Sequence, residues 1–185
     1  TGVVGKSLEK QITVKATYPD GRIAPNESIT FKITLGEGTL AGDSTKTIMS
    51  NDEGIAAVNW TLGIRAGQQK LQAATADSVV EFTALAIANI PHTIFAVGGQ
   101  TENSEPGVEF TSPFVVQLFD QYDNLIADFP VEFSTELGNI KGQKTETVRT
   151  DNEGKAQVFW TPFEYLGPRQ TLTATAPPSL QVQWH

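Results

Sequence analysis

The sequence contains no cysteine, only two histidines and a single methionine. The absence of cysteine excludes a disulfide framework, thiol catalysis and thiolate metal ligation. His92 and His185 have no partner close in the sequence, whereas a hydrolytic triad requires a base that is held by an orienting acid. We therefore assign no catalytic, cofactor-binding or metal-binding residue, and we predict that the chain needs no cofactor and is not an enzyme.

Long apolar runs and an excess of positive charge are also missing. No apolar run approaches the roughly 20 residues that a transmembrane helix requires, so no membrane-spanning segment is predicted. The 13 basic and 21 acidic residues leave a net charge of −8, which argues against nucleic acid as a partner. Most of this charge lies in residues 91–185, which hold 5 basic and 12 acidic side chains.

The chain repeats itself with a displacement of about 100 residues. Asp52–Gly54 reappears as Asn152–Gly154, and Trp60-Thr61 reappears as Trp160-Thr161. Elsewhere the displacement drifts to between 101 and 103, and the drift falls between apolar runs, where loop insertions occur. A length of 185 residues suits two sandwich domains of about 100 residues each. The predicted domains are residues 1–88 and residues 89–185, of which the second is the acidic one.

Apolar and polar residues alternate within each run, as Ile12, Val14 and Ala16 do with the residues between them. Alternation over short runs that end in turn residues predicts strands of an antiparallel sandwich. Arg65–Ala76 is rich in helix formers, but its counterpart Gly167–Pro178 combines prolines with β-branched residues, so both are predicted as strands. The predicted strands of the second copy are 92–97, 113–119, 130–135, 145–150, 155–161, 169–175 and 179–184.

The first copy yields only six strands. Leu8 matches Phe110 and Gly5 matches Gly107, so the counterpart of Pro91–Glu102 would precede Thr1. We therefore predict that the first domain lacks its opening strand and that the chain was cut from a longer protein. A missing strand leaves a sheet edge open to pairing with another chain.

Two ordered motifs carry a resemblance to a known family. The first runs from Pro91 through Ile94 and Val97 to Gln100 and continues with Asp120–Leu125. The second is Gly54-x-Ala56-x-Val58-x-Trp60-Thr61, which the second copy repeats from Gly154. In order and spacing the chain resembles bacterial immunoglobulin-like domains of the invasin and intimin type. The resemblance implies an all-β fold of two tandem immunoglobulin-like antiparallel β-sandwich domains.

The resemblance also implies a role. Such domains act as spacers in exported bacterial cell-surface or adhesin-type proteins, which places the chain at the cell surface or outside the cell. Its partners would be the neighbouring domains of a longer parent chain, with a host or surface receptor unknown, and Ala86–Pro91 would form a short joint of limited bending. Two alternatives stay open: a ligand-binding adhesion module for a protein or glycan receptor, and an accessory domain of a larger secreted carbohydrate-active enzyme.

Carboxylates and aromatic residues are the remaining candidates for chemistry. Asp120, Asp123 and Asn124 fall in one turn, while Asp151 and Glu153 fall in another, and oxygen-rich loops are what calcium prefers. Asp and Asn are equally preferred in turns that need no metal. Four aromatic residues fall in or beside loops of the second copy only, where they are candidates either for ligand contact or for edge packing: Tyr122, Phe129, Phe163 and Tyr165. Trp60, Trp160 and Trp184 are predicted to lie in the core because they alternate in phase with other apolar residues.

Overall fold

A computed structural model describes residues 1–99, 104–165 and 169–185, and these form two compact units, Thr1–Ala88 (unit 1) and Asn89–His185 (unit 2). All regular structure in the described residues is β-strand, which confirms the all-β prediction. Among these residues, none forms a helix of the length and apolar character needed to cross a membrane. Gln100 of the first family-like motif, and Gly167 and Pro168, lie outside the described residues.

Unit 1 contains seven strands in two sheets. They are β1 (Gly2–Val3), β2 (Ile12–Lys15), β3 (Ser28–Leu35), β4 (Thr45–Met49), β5 (Ile55–Val58), β6 (Gly67–Ala74) and β7 (Val79–Ile87). The larger sheet has the order β1-β7-β6-β3-β4, and the smaller sheet pairs β2 with β5. Strand β6 confirms that the alanine- and glutamine-rich stretch is extended, because Leu71 and Ala73 point into the core while their neighbours do not.

The described residues of unit 2 also form seven strands. They are β8 (Thr93–Gly98), β9 (Phe114–Phe119), β10 (Pro130–Thr135), β11 (Thr145–Arg149), β12 (Lys155–Val158), β13 (Leu172–Ala176) and β14 (Leu180–Trp184). The sheets have the orders β11-β10-β13-β14 and β12-β9-β8. Strands β9 to β14 therefore occupy the places that β2 to β7 hold in unit 1.

The structure corrects the sequence prediction at the first strand of unit 1 and at the end of β12. Gly2–Val3 forms a seventh strand in unit 1, parallel to β7, and two residues are too few to show an alternating pattern. Among the described residues of unit 1, however, no strand pairs with β2 in the way that β8 pairs with β9. Strand β12 ends at Val158 rather than at 161, because Thr161 leaves β9 and instead bridges Asn139.

The tryptophans that repeat in the two copies are core residues, as predicted. Trp60 and Trp160 are 1% and 3% exposed. In unit 2, Trp160 stacks on Phe110 with ring centroids 5.6 Å apart, and Phe114 meets both Trp160 and Trp184 edge to face. Such pairs add about 0.5–1.5 kcal/mol to the stabilisation that burial of the rings already provides.

Buried polar side chains tie the loops of each unit to its own backbone. The Ser50 hydroxyl donates to the carbonyl oxygen of Ala24 at 2.7 Å and accepts from the amide of Glu27 at 2.9 Å. Thr150 does the same in unit 2, donating to the carbonyl of Ile126 at 2.7 Å. Because a buried hydroxyl without a partner is costly, these bonds explain why a polar residue recurs at this interior position.

Candidate functional site

The loops of unit 2 lie at two opposite ends of its sandwich. Strands β9 and β12 are antiparallel, with Lys155 opposite Gln117 and Val158 opposite Phe114. Residues that follow β9 and residues that follow β12 are therefore separated by the length of the strands. We call residues 89–92, 120–129 and 150–154 the entry end, and residues 136–144, 159–165 and 169–171 the far end.

Asp120 is the most deeply buried carboxylate among the described residues, with 1% of its surface exposed. It lies at the entry end and accepts hydrogen bonds from the amides of Tyr122 at 2.8 Å and Asn124 at 3.0 Å. The side-chain amide of Asn124 donates to both carboxylate oxygens. The backbone amide of Asn89 donates to Oδ2 at 2.9 Å, so Asp120 holds the first residue of unit 2 against the turn after β9.

These donors keep Asp120 ionised. Burial, the largest single influence, favours the neutral acid, but the hydrogen bonds from Asn124, Asn89 and Tyr122 together outweigh it and lower the pKa of Asp120 below its ordinary 3.8. A carboxyl whose pKa is lower in the folded than in the unfolded chain stabilises the fold at all pH values above about 3.8. That stabilisation is lost as the pH falls through the lower folded value.

We expect Asp120→Asn to destabilise unit 2 by about 2 kcal/mol at pH 7, because the new NH₂ group faces donors that the carboxylate accepted from. The difference in unfolding free energy between the native chain and the variant should shrink as the pH falls from 5 to below 3. Guanidinium unfolding at a series of pH values measures both effects. Asp123→Asn is the matched control and should change the stability by less than about 0.5 kcal/mol, since Asp123 is exposed. A pH-independent difference for Asp120→Asn would contradict this account.

In the second acidic turn, the residue of unit 1 that corresponds to Asp151 is the uncharged Asn51. The Asp151 Oδ1 atom accepts from the amides of Glu153 at 2.8 Å and Lys155 at 2.9 Å. In unit 1 the side chain of Asn51 accepts the equivalent pair of amides at 3.0 and 2.9 Å. Since the neutral amide does the same work, the carboxylate at 151 serves the turn itself.

Neither turn brings together a set of oxygen ligands that would suit calcium. Among the described residues there is no group of three or more His, Cys, Asp or Glu side chains that could hold a metal ion. The oxygens of Asp120 are already occupied by N–H donors. The two acidic turns are therefore explained by the hydrogen bonds of the turns themselves.

The structure separates the histidines and the candidate aromatics. His92 precedes β8 at the entry end, whereas His185 follows β14 and contacts the Thr171 hydroxyl at the far end, 3.1 Å away. Tyr122 and half-buried Phe129 also lie at the entry end. Phe163 and Tyr165 lie at the far end. The four loop aromatics therefore do not form one contact face.

Comparison with known proteins identifies the architecture through solved structures alone. No protein-family model matches the chain, and no curated protein matches it. FdeC, an adhesin of Escherichia coli, aligns over 100% of this chain and 61% of its own, with a TM-score of 0.59 and 13% identity. The D0–D1 domains of intimin align over 100% of this chain and 92% of theirs at 19% identity, with a TM-score of 0.41. Invasin, described as a bacterial integrin-binding protein, aligns over 99% of this chain and 37% of its own at 18% identity, with a TM-score of 0.44.

The chain has the fold of two tandem immunoglobulin-like β-sandwich domains, and it shares this fold with FdeC. It spans under two thirds of the FdeC and invasin structures. The fold expected from the resemblance of the sequence motifs is thus confirmed.

The far end of the second immunoglobulin-like unit carries the most exposed aromatic pair in the described residues of that unit. Tyr165 is 69% exposed and Phe163 is 42% exposed, and their ring centroids lie 5.6 Å apart. Gln170 holds this pair in place, because its side chain accepts from the amide of Phe163 at 2.5 Å. Gln170 also lines a polar groove of about 390 Å³, together with Lys144 and Arg169.

Gln69 is the residue of the immunoglobulin-like pair that the sequence analysis missed. It is 1% exposed, and its side chain accepts from the amide of Gly63 at 2.8 Å and donates to the carbonyl of Arg65 at 3.0 Å. It corresponds to Gln170, so the same loop tie recurs in both units. The only sequence signal was a glutamine at an inward position of an alternating strand.

Proposed function

We propose that this chain is a non-catalytic spacer module of an exported bacterial cell-surface or adhesin-type protein, with residues 1–88 and 89–185 as successive domains. The fold that it shares with FdeC along its whole length supports this role. The partners of such a module are the domains on either side of it, and its location is the cell surface or the extracellular space.

One observation carries the proposal: four buried polar side chains bind the backbone of their own unit. Asp120, Gln69, Ser50 and Thr150 each accept or donate hydrogen bonds within loops that they hold in place. A catalytic site instead needs a titratable group directed into a cleft, where a substrate reaches it. The interior polar chemistry of this chain supports stability.

The joint between the domains is shorter than the sequence predicted. Ala86 and Ile87 belong to β7, so the joint begins at Ala88. The amide of Asn89 is bound by Asp120, and the amide of His92 donates to the carbonyl of Phe119 at 2.8 Å. The segment between β7 and the first hydrogen-bonded amide of unit 2 is therefore short.

The decisive experiment is a binding assay with the labelled 185-residue chain on host-cell surfaces and on a broad glycan panel. A spacer should show no saturable binding to either. Single-molecule pulling from the two termini should then give two unfolding events, each releasing roughly 30 nm of chain. Saturable binding would remove the pure spacer role, and one unfolding event would contradict the two successive domains.

A second candidate function is a ligand-binding adhesion module, and the aromatic pair at the far end favours it. Phe163 and Tyr165 expose ring surface, and Gln170, which binds the amide of Phe163, lines a groove of hydrogen-bonding groups. Exposed aromatic rings and hydrogen-bonding groups are combined at protein and glycan contacts. If binding is found in the assay above, Tyr165→Ala should abolish it. Tyr122→Ala, at the opposite end of the same unit, is the matched control and should leave it unchanged. Equal effects of both variants would exclude the far end as the contact site.

A further inference from the structure

Strand β2 of unit 1 is paired on one side only. It pairs with β5, whereas its counterpart β9 pairs with both β12 and β8. The amide of Ala16 donates to the carbonyl of Gly54 on the β5 side, at 2.7 Å. Since alternate residues of an antiparallel strand direct their backbone groups to opposite sides, the amides of Thr13 and Lys15 face the unpaired edge.

The apolar row of β2 is less well covered than the same row of β9. Phe114, Val116 and Leu118 are each 2% exposed or less. The corresponding residues of β2 and the residue that follows it are only half-buried: Ile12, Val14 and Ala16. Because the two units share one fold, the difference arises from β8, which lies beside β9 and has no equivalent beside β2 in the described residues.

A groove of about 710 Å³ opens at this place, between β2 and the larger sheet. Val14, Ala16, Ala73 and Val80 contribute to its lining, and Val80 is 49% exposed. In unit 2 the same side of the sandwich is closed. There β8 lies beside β14, and the indole N–H of Trp184 donates to the carbonyl oxygen of Gly98 at 3.1 Å.

We propose that the groove between β2 and β7 is an acceptor site for one extended apolar strand, which pairs antiparallel with β2 as β8 pairs with β9. Unit 2 defines the chemistry of the occupant: apolar residues at alternate inward positions, of which the second is small and is followed two residues later by a glycine. In β8 the inward positions are Ile94, opposite Leu118, and Ala96, opposite Val116. The displacement of 102 residues places these positions opposite Ala16 and Val14 of unit 1. Backbone pairing supplies the affinity in this mode of recognition, and the alternate side chains supply the specificity.

A peptide with the sequence of residues 91–99, labelled at its N-terminus and carrying a lysine tail for solubility, is the probe. Titrated into the full 185-residue chain, it should bind saturably with one site at peptide concentrations up to about 1 mM. Hydrogen exchange should slow at the amides of Thr13 and Lys15, and not at β9. The same peptide with Ile94→Asp should bind at least tenfold more weakly. No saturation, or protection at β9 in place of β2, would overturn the proposal.

Lys15→Pro tests the strand pairing itself. Proline removes the outward-facing amide and is tolerated on an edge strand, so unit 1 should remain folded while peptide affinity falls at least tenfold. Lys15→Thr removes the same charge but keeps the amide, and it should bind the peptide as the native chain does. Circular dichroism establishes that both variants are folded. Peptide binding that is equal in both variants would refute pairing along β2.

The competing hypothesis is that a second copy of the chain occupies this edge, with the β2 strands of the two copies paired to each other. Sedimentation equilibrium of the native chain distinguishes it from the peptide strand. A monomer that binds the peptide supports the proposal. The opposite result is a native chain that forms a dimer, which Lys15→Pro dissociates and the peptide does not. That result would assign the β2 edge to a second copy of the chain and would overturn the proposal.

Discussion

Trp160→Ala is expected to destabilise unit 2 by about 3–5 kcal/mol, a large fraction of the stability of a domain of this size. The indole fills the centre of an aromatic cluster, where it stacks on Phe110 and meets Phe114 edge to face. Removal of the indole leaves a cavity that the rings of Phe110 and Phe114 fill only in part. Hydrogen exchange measured by mass spectrometry, followed on β10 for unit 2 and on β3 for unit 1, reports the loss in each unit separately.

Two controls separate ring volume from hydrogen bonding. The indole N–H of Trp160 is buried and has no hydrogen-bond partner among the described residues, as is also true of Trp60. Trp160→Phe therefore loses no hydrogen bond and should cost clearly less than Trp160→Ala. Trp60→Ala should accelerate exchange in β3 to a similar degree. Equal costs for Trp160→Phe and Trp160→Ala would show that the indole N–H matters more than the ring.

Gly63→Ala is expected to cost about 2–3 kcal/mol in unit 1, although it adds a single methyl group. A Cβ atom at position 63 would overlap the carbonyl oxygen of Gly36, which belongs to the backbone and has no flexible end to move aside. The amide of Gly63 is also fixed by the buried side chain of Gln69. The loop between β3 and Gly38 must shift for the methyl group to fit. Chemical denaturation monitored by tryptophan fluorescence measures the cost.

The second unit explains why a glycine stands at position 63. Gly38 and Gly138 both lie against a tryptophan indole nitrogen and the carbonyl of the following threonine, so they correspond at a displacement of 100 residues. Ile33 and Thr135 correspond at 102, as their strand partners show. Unit 1 therefore carries two extra residues in this loop. The shorter loop of unit 2 leaves room for Phe163 at the position equivalent to Gly63.

The controls for Gly63→Ala follow from this comparison. Phe163→Ala should change stability by less than about 1 kcal/mol, because Phe163 is 42% exposed and lies outside the core. Gly21→Ala tests the effect of backbone conformation without a clash, since Gly21 has a φ of 84° and an added methyl group would meet no atom within 4 Å. It should cost about 1–2 kcal/mol. A cost for Gly63→Ala below that of Gly21→Ala would contradict the overlap.

The turn after β2 shows how a sequence alignment within the chain can be one residue out. Matched by residue type alone, Asp20-Gly21 aligns with Asp123-Asn124 at a displacement of 103. In the structure Thr17 bridges Ile23 as Phe119 bridges Leu125, so the displacement is 102 and Gly21 corresponds to Asp123. Both have positive φ, of 84° and 62°. Turn residues tolerate exchange at such positions, so residue identity alone did not define the register.

Strand positions, the core tryptophans and the tandem repeat were determined by the sequence itself. The first two depend on an alternation of apolar and polar residues over five to eight positions, because a strand converts that period directly into a buried and an exposed face. The repeat depends on motifs that recur about 100 residues apart. Because Trp60 recurs as Trp160, the segments that follow them could be aligned, although the local pattern of each segment alone leaves its secondary structure ambiguous. The stretch 65–76 was predicted correctly as a strand only because its counterpart contains prolines.

Only the tertiary structure decided which loops meet. The amide of Asn89 binds Asp120 across 31 residues, and Gly63 lies against Gly36 across 27, and no periodicity in the sequence encodes such contacts. Strand direction placed Tyr122 and Tyr165 at opposite ends of one sandwich, and the order of strands in the sheets left β2 without the partner that β9 has. Local patterns define the face that a residue takes, whereas strand pairing between distant segments defines its neighbours, and contacts of this kind are determined by the fold as a whole.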